Sequence, residues 1–516
     1  MNLLLVLFPI LVLAGGGVVL MMVDAFQKEE GQLGMPTALL HFVAAAGALA
    51  LGQRGIPADG AAAVAPWLTV DRTGLFFAAV ISVAGALASL LAGGYLAEHK
   101  LDRGEYYPLV AFASSGAIML AQSGDTLTLF LGLETMSLGV YALTGFRRSN
   151  PRSVEAALKY FLLGSFAAAL MLFGAALLYA ATGHTDYAGI AQGLRVGSDL
   201  APEAAQIAAV HTRMGIFAMV LVIVGLGFKV GVAPFHMWTP DAYEGAPTST
   251  TAYMSVVVKA AAVAALMRIL LVVFGDAGSA SGTAGWPALL AWLAVLTMVT
   301  GNLMALTQTS VKRMLAYSSI AHAGYILLGI LAAPREGVGL TAQASVLFYL
   351  AGYAVTNVGV FAALALAGRH GAEAVSFDDL AGYARRHPAA GMALTFFLLS
   401  LTGIPPTVGF FGKFYVIRAT LDAGYTTLAV VAVLNSAVSA YYYLGVIVKM
   451  YMRDPAPGAP QASPNRSFYL VFTILAAGVM VLAMGASPQR WLALATEAVT
   501  PVTAAAPAAP AAPAAP

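Results

Sequence analysis

Fourteen apolar runs, each long enough to cross a lipid bilayer as a helix, follow one another along the chain. Hydrophobic residues make up 60% of the 516 residues and charged residues only 10%, whereas soluble proteins usually carry about 25% charged residues. The sequence therefore predicts an all-α polytopic membrane protein. The predicted spans are 3–22, 36–52, 73–95, 107–122, 125–145, 156–181, 213–238, 248–272, 286–306, 313–333, 341–367, 390–420, 425–448 and 467–487.

The Lys and Arg residues near the span ends are distributed unequally between the two sides of the predicted membrane. Fourteen follow odd-numbered spans and eight lie on the other side. Because the cytoplasmic side of a membrane protein carries the excess of cations, both termini are predicted to face outward. The fourteen cations on the predicted inner side are Lys28, Lys100, Arg103, Arg147, Arg148, Arg152, Lys312, Arg313, Arg369, Arg385, Arg386, Lys449, Arg453 and Arg466.

Four lysines, Lys159, Lys229, Lys259 and Lys413, lie inside predicted spans, and Glu134 is the one acidic residue well inside a span. A charge at the bilayer centre costs roughly 2.5 to 3.5 kcal/mol on insertion scales, and such residues commonly mark ion or proton pathways. A low-dielectric site disfavours an ammonium ion, whereas a nearby carboxylate favours it. A lysine whose carboxylate partner moves can therefore take up and release a proton, and Glu134 with Lys229 is the predicted pair.

Two spans contain residues that interrupt a helix. Gly231-Val-Ala-Pro234 lies in the seventh span and Gly403-Ile-Pro-Pro406 in the twelfth. Proline removes a backbone donor, so both spans are predicted to be discontinuous helices that line a cavity or are buried in protein. Because five spans separate the breaks, the simplest architecture contains two inverted five-helix repeats. The predicted domains are 1–95 (helices 1 to 3), 107–272 (first repeat), 286–448 (second repeat), 467–487 (helix 14) and 501–516 (Ala/Pro-rich tail).

Three further residues are weaker candidates for proton transfer. Lys159 lies a few residues inside the sixth span, where it could relay protons from the cytoplasm or simply reach the interface with its long side chain. His236 follows Lys229 by two helical turns across the proline break, and His322 lies among small residues in mid-span. A neutral imidazole can pass a proton through its two nitrogens. A hydrogen-bonded packing residue is the alternative for each histidine.

The composition excludes several kinds of site. The absence of cysteine excludes thiolate metal sites and cysteine-ligated iron–sulfur clusters, and the histidines and carboxylates are too scattered to predict a metal site. No glycine-rich phosphate loop follows a strand, and no basic block indicates a nucleic-acid partner. We therefore predict no redox centre, nucleotide site or metal site in this chain. The tail 501–516 is assigned no role.

Several motifs resemble a known family, the antiporter-like membrane subunits of proton-pumping NADH:quinone oxidoreductase, respiratory complex I. The resemblance covers roughly residues 70 to 450 and is strongest in the subunit N group of that family. The motifs that carry it are Leu133-Glu-Thr-Met-Ser137, Lys229 with Val232-Ala-Pro-Phe-His-Met-Trp-Thr-Pro-Asp-Ala-Tyr-Glu-Gly-Ala-Pro-Thr248, Val311-Lys-Arg-Met-Leu-Ala-Tyr-Ser-Ser-Ile-Ala-His322 and Gly403-Ile-Pro-Pro-Thr-Val-Gly-Phe-Phe-Gly-Lys413.

The resemblance implies a function and roles for individual residues. Glu134 would pair with Lys229, Lys259 would be the central relay, and Lys413 would serve a second half-channel. The chain would be the proton-translocating part of a translocase in a bacterial inner membrane, bound to neighbouring antiporter-like and small membrane subunits and to lipid. Partner subunits would hold FMN and iron–sulfur clusters, oxidise NADH and reduce quinone.

Two alternatives remain at this stage. The chain could belong to a multi-subunit cation/proton antiporter or a membrane-bound hydrogenase, which share the buried Lys and Glu pattern. A scaffold without transport activity is the alternative from another class, and it predicts that the four buried lysines are dispensable.

Overall fold

The computed structural model describes residues 1–26, 33–195, 202–275, 285–368, 373–455, 462–465 and 467–500, with the backbone alone at 202–209. Within these ranges the chain forms α-helices joined by short connections, and no strand occurs. The helices are α1 (Asn2–Val6), α2 (Phe8–Phe26), α3 (Gly34–Arg54), α4 (Ala58–Val64), α5 (Arg72–Glu98), α6 (Tyr106–Ala121), α7 (Thr126–Thr144), α8 (Pro151–Thr182), α9 (Tyr187–Leu194), α10 (Pro202–Val230), α11 (Trp238–Gly245), α12 (Thr248–Val272), α13 (Trp286–Leu306), α14 (Val311–Ala332), α15 (Gly339–Leu366), α16 (Tyr383–Arg386), α17 (Pro388–Thr402), α18 (Val408–Asp422), α19 (Thr426–Met452), α20 (Phe468–Ala486) and α21 (Pro488–Val499).

The helices confirm the predicted class of an all-α polytopic membrane protein. Within the described residues, 12 helices are long and apolar enough to cross a membrane, and α6 and α17 are shorter apolar helices. The predicted span 390–420 is divided between α17 and α18. The count of fourteen membrane-spanning helices stays a prediction. The predicted tail 501–516 and three of the predicted inner cations, Lys28, Arg369 and Arg466, lie outside the described residues.

Four helices, α5, α12, α14 and α15, form the buried centre of the molecule, and α5 and α12 both pack against α15. The most apolar part of α14 is fully buried, whereas that of α2 is only 28% buried. Close packing around α14 depends on a glycine of α13, because a Cβ at Gly301 would lie 2.6 Å from the backbone nitrogen of Ala321. The polar residues of α12, α14 and α15 are therefore held inside the protein, away from lipid.

The first helix break follows α10. Gly231 has a φ of +83°, a left-handed conformation that commonly ends a helix. The indole nitrogen of Trp238 donates a hydrogen bond of 2.8 Å to the carbonyl oxygen of Phe228. The backbone nitrogen of Ala233 donates one of 3.0 Å to the hydroxyl of Thr297. These bonds satisfy backbone groups freed by the break, as burial at membrane depth requires.

The second break separates α17 from α18 and, like the first, begins at a glycine with a positive φ. Gly403 has a φ of +93° and ends α17. The carbonyl oxygen of Thr402, in the last turn of α17, accepts a hydrogen bond of 2.9 Å from the side-chain nitrogen of Lys413. The prediction of two discontinuous helices is confirmed, and the second break places a buried lysine directly on the freed end of a helix.

Candidate functional site

Three of the predicted lysines are deeply buried. Lys229, Lys259 and Lys413 are 2%, 3% and 5% exposed. Among the described residues, no carboxylate oxygen lies within 4.0 Å of any of the three amines. Burying a charge without a counter-ion costs several kcal/mol, so each amine must be held by other polar groups. In each case hydroxyl or carbonyl oxygens supply them.

Lys229, in the last turn of α10, contacts a tyrosine of α7. Its amine donates a hydrogen bond of 2.7 Å to the hydroxyl of Tyr141. The amine also lies over the rings of Tyr141 and Tyr160, 4.7 Å and 5.3 Å from their centres. Glu134 is half-buried, and one of its carboxylate oxygens is buried with no hydrogen-bond partner among the described residues. Glu134 and Lys229 are close enough to interact electrostatically, but no direct ion pair joins them.

Lys259 lies at the centre of the molecule, on α12. Its amine donates a hydrogen bond of 2.6 Å to the hydroxyl of Ser319 on α14 and another to the carbonyl oxygen of the same residue. The hydroxyl of Tyr243 on α11 lies 3.2 Å from that of Ser319. The amine is also 5.4 Å from the centre of the Tyr353 ring. Lys259 thus contacts a core helix of the second half directly, and Ser319 links it to Tyr243 in the broken-helix region of the first half.

His322 lies one turn after Ser319 on α14, close enough to both Lys259 and Lys413 to interact with their charges. Its Nδ1 is 2.7 Å from the hydroxyl of Tyr349, and its Nε2 is 3.3 Å from the hydroxyl of Tyr443. One ring nitrogen can therefore donate while the other accepts, as a proton relay requires.

A small cavity adjoins His322 on the side of the second break. It has a volume of about 10 Å³, which is close to the space that one water molecule needs. Its lining includes Tyr349, Ser400 and Gly412, which immediately precedes Lys413.

The amine of Lys413 lies at the carboxyl end of α17. Besides its bond to Thr402, the amine donates a hydrogen bond of 3.1 Å to the hydroxyl of Ser436 on α19. It lies 5.5 Å from the centre of the Tyr325 ring. The carboxyl end of α17 carries a partial negative charge, which favours a cation at this position. A helix end and two oxygens thus replace the carboxylate that the span lacks.

Lys159 and His236 lie apart from these three lysines. The side chain of Lys159 is 46% exposed on α8 and contacts Glu155 at 2.6 Å and Asp241 at 2.9 Å. His236 is half-buried in the first break, and its Nδ1 has no hydrogen-bond partner among the described residues. The structure therefore brings Lys259, His322 and Lys413 into one polar cluster and places Lys159 on an outer face.

A buried carboxylate that the sequence analysis did not single out lies at one end of the bundle. Glu373, in the connection after α15, accepts hydrogen bonds from the hydroxyl of Thr248 at 2.7 Å and from that of Tyr95. It lies 3.3 Å from the amine of Lys312 and 3.9 Å from the guanidinium of Arg147. Burial alone would raise the pKa of Glu373, but the two cations and the hydrogen bonds outweigh it and lower this pKa to about 2. The cluster joins helices from both halves of the chain.

Glu373→Gln should destabilise the protein by about 3 kcal/mol at neutral pH. The folded-state pKa lies below the ordinary glutamate value, so this stabilisation is fully present above about pH 4.5 and is lost as the pH falls towards 2. Thermal unfolding of the detergent-solubilised protein across that range should show the difference from wild type shrinking with decreasing pH.

Asp378→Asn is the matched control for Glu373→Gln. Its carboxylate belongs to the same connection and pairs with Lys449 at 2.7 Å, but its side chain is 84% exposed. Exposed pairs contribute roughly 0 to 1 kcal/mol, so this variant should unfold close to wild type. Equal, pH-independent effects of the two substitutions would contradict the stabilising role of Glu373.

Several hydroxyl groups of the polar cluster were also missed from the sequence. Tyr141, Ser319, Tyr349 and Tyr443 each contact a predicted lysine or histidine. One signal could have found Ser319, because it is three residues from the predicted His322 and shares its helix face. In the described part of the chain, no three His, Asp or Glu side chains are grouped so that they could hold a metal ion.

Comparison with known proteins identifies the family. The sequence profile of the family described as NADH:quinone oxidoreductase/Mrp antiporter, transmembrane, matches residues 123–439, more than half of the chain. The chain belongs to the NADH:quinone oxidoreductase/Mrp antiporter family. NADH-quinone oxidoreductase subunit N 1 of Sorangium cellulosum (strain So ce56) is 53% identical to it over 503 residues, 95% of this chain and 97% of the relative. Subunit N of Myxococcus xanthus (strain DK1622) is 38% identical over 95% of this chain and 96% of the relative.

Solved structures of this family share the fold. A chain of respiratory complex I from Thermus thermophilus with bound aureothin is 34% identical, with a TM-score of 0.75 over 95% of this chain and 99% of that chain. A chain of the Mrp complex from Dietzia sp. DQ12-45-1b has a TM-score of 0.78 over 96% of both chains at 24% identity, which shows the fold alone. The resemblance seen in the sequence motifs is thereby confirmed.

Proposed function

We propose that this chain is a subunit N of a proton-pumping NADH:quinone oxidoreductase and moves protons outward across a bacterial inner membrane. The observation that carries the proposal is the set of three deeply buried amines, Lys229, Lys259 and Lys413. Each is held by hydroxyl or carbonyl oxygens, and no carboxylate in the described part of the chain contacts it. A buried amine of this kind is costly for stability and suited to gaining and losing a proton.

The contacts of the buried amines support roles for individual residues. Glu134 stabilises the protonated form of Lys229 by its charge. Lys259 exchanges its proton through the hydroxyl of Ser319, and the imidazole of His322 carries it towards Lys413. Lys413 releases the proton on the outer side. Lys159 and His236 would act where protons enter the first half.

The two helix breaks support the division into repeats. We infer that 107–272 and 286–448 are inverted five-helix units, because each break begins at a glycine with a left-handed φ, Gly231 or Gly403. Residues 1–95 and 467–487 would lie at the edges of these units. Each repeat would then contribute one broken helix and at least one buried lysine to the same path.

The relatives favour this function over the alternatives. The relatives that are 53% and 38% identical are both named subunit N of NADH-quinone oxidoreductase, whereas the Mrp complex chain is similar only in fold. The partners would be neighbouring antiporter-like and small membrane subunits. NADH, FMN, iron–sulfur clusters and quinone would bind to the assembled complex, outside this chain.

Purification of the affinity-tagged chain from its native membrane tests this assignment. We expect partner proteins that carry flavin and iron–sulfur absorbance and oxidise NADH, while the chain separated from them has no redox chromophore. Recovery with antiporter subunits alone, without NADH oxidation, would assign the chain to the cation/proton antiporters instead.

The charges at the two ends of the bundle support an orientation with both termini outside. Arg147 and Lys312 meet at Glu373, and the nearby Lys449 is also among the predicted inner cations. At the opposite end a cavity of about 640 Å³ is lined by Asp71 and Arg268, which pair at 2.7 Å. We infer that the Glu373 end faces the cytoplasm.

Single cysteines test this orientation, because the chain contains no cysteine of its own. Arg148→Cys, on the proposed inner side, should react with a membrane-impermeant thiol reagent only after the cells are opened. Arg54→Cys, exposed at the end of α3, should react in intact cells. The reverse labelling pattern would overturn the orientation.

A further inference from the structure

A tyrosine hydroxyl stands beside the lysine that the sequence pairs with Glu134. Tyr141 and Glu134 are seven residues apart on α7, which is two helical turns and places both on one face. The Tyr141 hydroxyl accepts the 2.7 Å hydrogen bond from Lys229. The carboxylate of Glu134 makes no ion pair with that amine, and one of its oxygens is buried with no hydrogen-bond partner in the described ranges. Tyr141 therefore occupies the position that a counter-ion would take.

A second hydroxyl lies between the tyrosine and the carboxylate. Ser137 is three residues after Glu134 and four before Tyr141, so it shares their face of α7. Its hydroxyl donates to the carbonyl oxygen of Leu133 and interacts with the hydroxyl of Tyr141. Glu134, Ser137 and Tyr141 therefore share one face of α7, and the Lys229 amine contacts the Tyr141 end of that face.

We propose that Tyr141 is the relay through which Lys229 and Glu134 exchange a proton, an inference that rests on the proposed function. The ammonium proton of Lys229 passes to the Tyr141 oxygen as the phenolic proton passes to the Ser137 oxygen. The Ser137 proton, turned away from Leu133, passes to the Glu134 carboxylate. The products are a neutral amine and a carboxylic acid, while Tyr141 and Ser137 regain their starting protonation.

A glycine of the neighbouring helix provides the space for this hydroxyl. A Cβ at Gly164 on α8 would lie 2.0 Å from the hydroxyl oxygen of Tyr141 and 2.8 Å from its Cζ. Such contacts cannot be accommodated without moving the tyrosine side chain. Gly164→Ala should therefore displace the Tyr141 hydroxyl from Lys229 without altering any ionisable group.

Tyr141→Phe in the assembled complex tests the relay, since it keeps the ring and removes the hydroxyl. Proton pumping in reconstituted vesicles should fall at least about tenfold, because a positioned proton-transfer group contributes roughly 10²–10⁴-fold. Tyr160→Phe is the matched control: the Tyr160 ring also lies 5.3 Å from the Lys229 amine, but its hydroxyl makes no hydrogen bond among the described residues. This control should pump like wild type.

Double variants separate a relay from a packing role. Gly164→Ala should reduce pumping on its own but add little in the Tyr141→Phe background, where no hydroxyl remains to be displaced. Likewise, Tyr141→Phe should add little to the loss caused by Glu134→Gln. Additive losses in both combinations, or wild-type pumping by Tyr141→Phe, would overturn the relay.

Lys229→Ala distinguishes a failure of the relay from a failure of the proposed function. If Lys229→Ala stops pumping while Tyr141→Phe does not, only the relay is wrong. If neither substitution affects pumping by a normally assembled complex, the chain does not move protons through Lys229, and both proposals fall together.

Discussion

Replacing Lys259 with methionine should leave the assembled complex at least as stable as wild type and reduce its proton pumping at least about tenfold. Lys259 is 3% exposed and no carboxylate among the described residues contacts its amine. Methionine has a similar stem and buries no charge, so the substitution removes a desolvation cost. It also removes the amine that, in the proposed function, exchanges a proton through Ser319. Stability and pumping should thus change in opposite directions.

Thermal unfolding of the purified complex and acidification of reconstituted vesicles would measure the two effects. Lys449→Met is the matched control, because the Lys449 side chain is 38% exposed and pairs with the 84% exposed Asp378. It should retain both wild-type stability and wild-type pumping. Normal pumping by Lys259→Met would instead favour a structural scaffold in which the buried lysines are dispensable.

Lys413→Arg should assemble normally and pump as poorly as Lys413→Ala. The guanidinium keeps the positive charge at the carboxyl end of α17, and its donors suit the oxygens of Thr402 and Ser436. It does not release its proton at any accessible pH, so it cannot act as the outer donor. We expect a reduction of at least about tenfold in pumping by reconstituted vesicles.

The comparison of Lys413→Arg with Lys413→Ala separates two roles of position 413. Equal, strong losses would show that the position must release a proton. Wild-type pumping by the arginine variant, together with a loss in the alanine variant, would show that position 413 supplies charge alone.

The membrane-spanning class and both helix breaks could be predicted from the sequence because their causes are local. Apolar length predicts a span, and glycine with proline predicts its interruption. The seventh span, predicted as 213–238 with an interruption at Gly231–Pro234, begins with a helix, α10, that ends at Val230. Gly231 adopts a left-handed φ there, so the helix ends before Pro234 is reached.

The partners of the buried lysines could not be predicted, because they depend on how distant helices pack. Sequence offers Glu134 as the partner of Lys229, yet the hydroxyl of Tyr141 lies in contact with the amine. The sequence is compatible with Lys159 either as a relay or as a residue at the interface, and α8 places it on an outer face beside Asp241. The spacing of residues along one helix does not determine which neighbouring helix packs against a given face.

Glu373 shows the same limit for connections between helices. In the sequence Glu373 is a carboxylate in a polar stretch after an apolar run. No sequence feature distinguishes it from exposed neighbours such as Asp378. Its burial depends on Tyr95, Thr248 and Lys312, which come from three different helices. Only the assembled fold brings these groups together.

The most direct test of proton movement through this chain measures protons translocated and NADH oxidised in the same vesicles, for wild-type and Lys259→Met complexes at equal amounts of assembled protein. We predict that the Lys259→Met vesicles move at least about tenfold fewer protons per second, either because fewer protons move per NADH or because NADH oxidation slows with them. A Lys259→Met complex that matches wild type in both quantities would contradict the proposal that protons cross the membrane through the buried lysines of this chain.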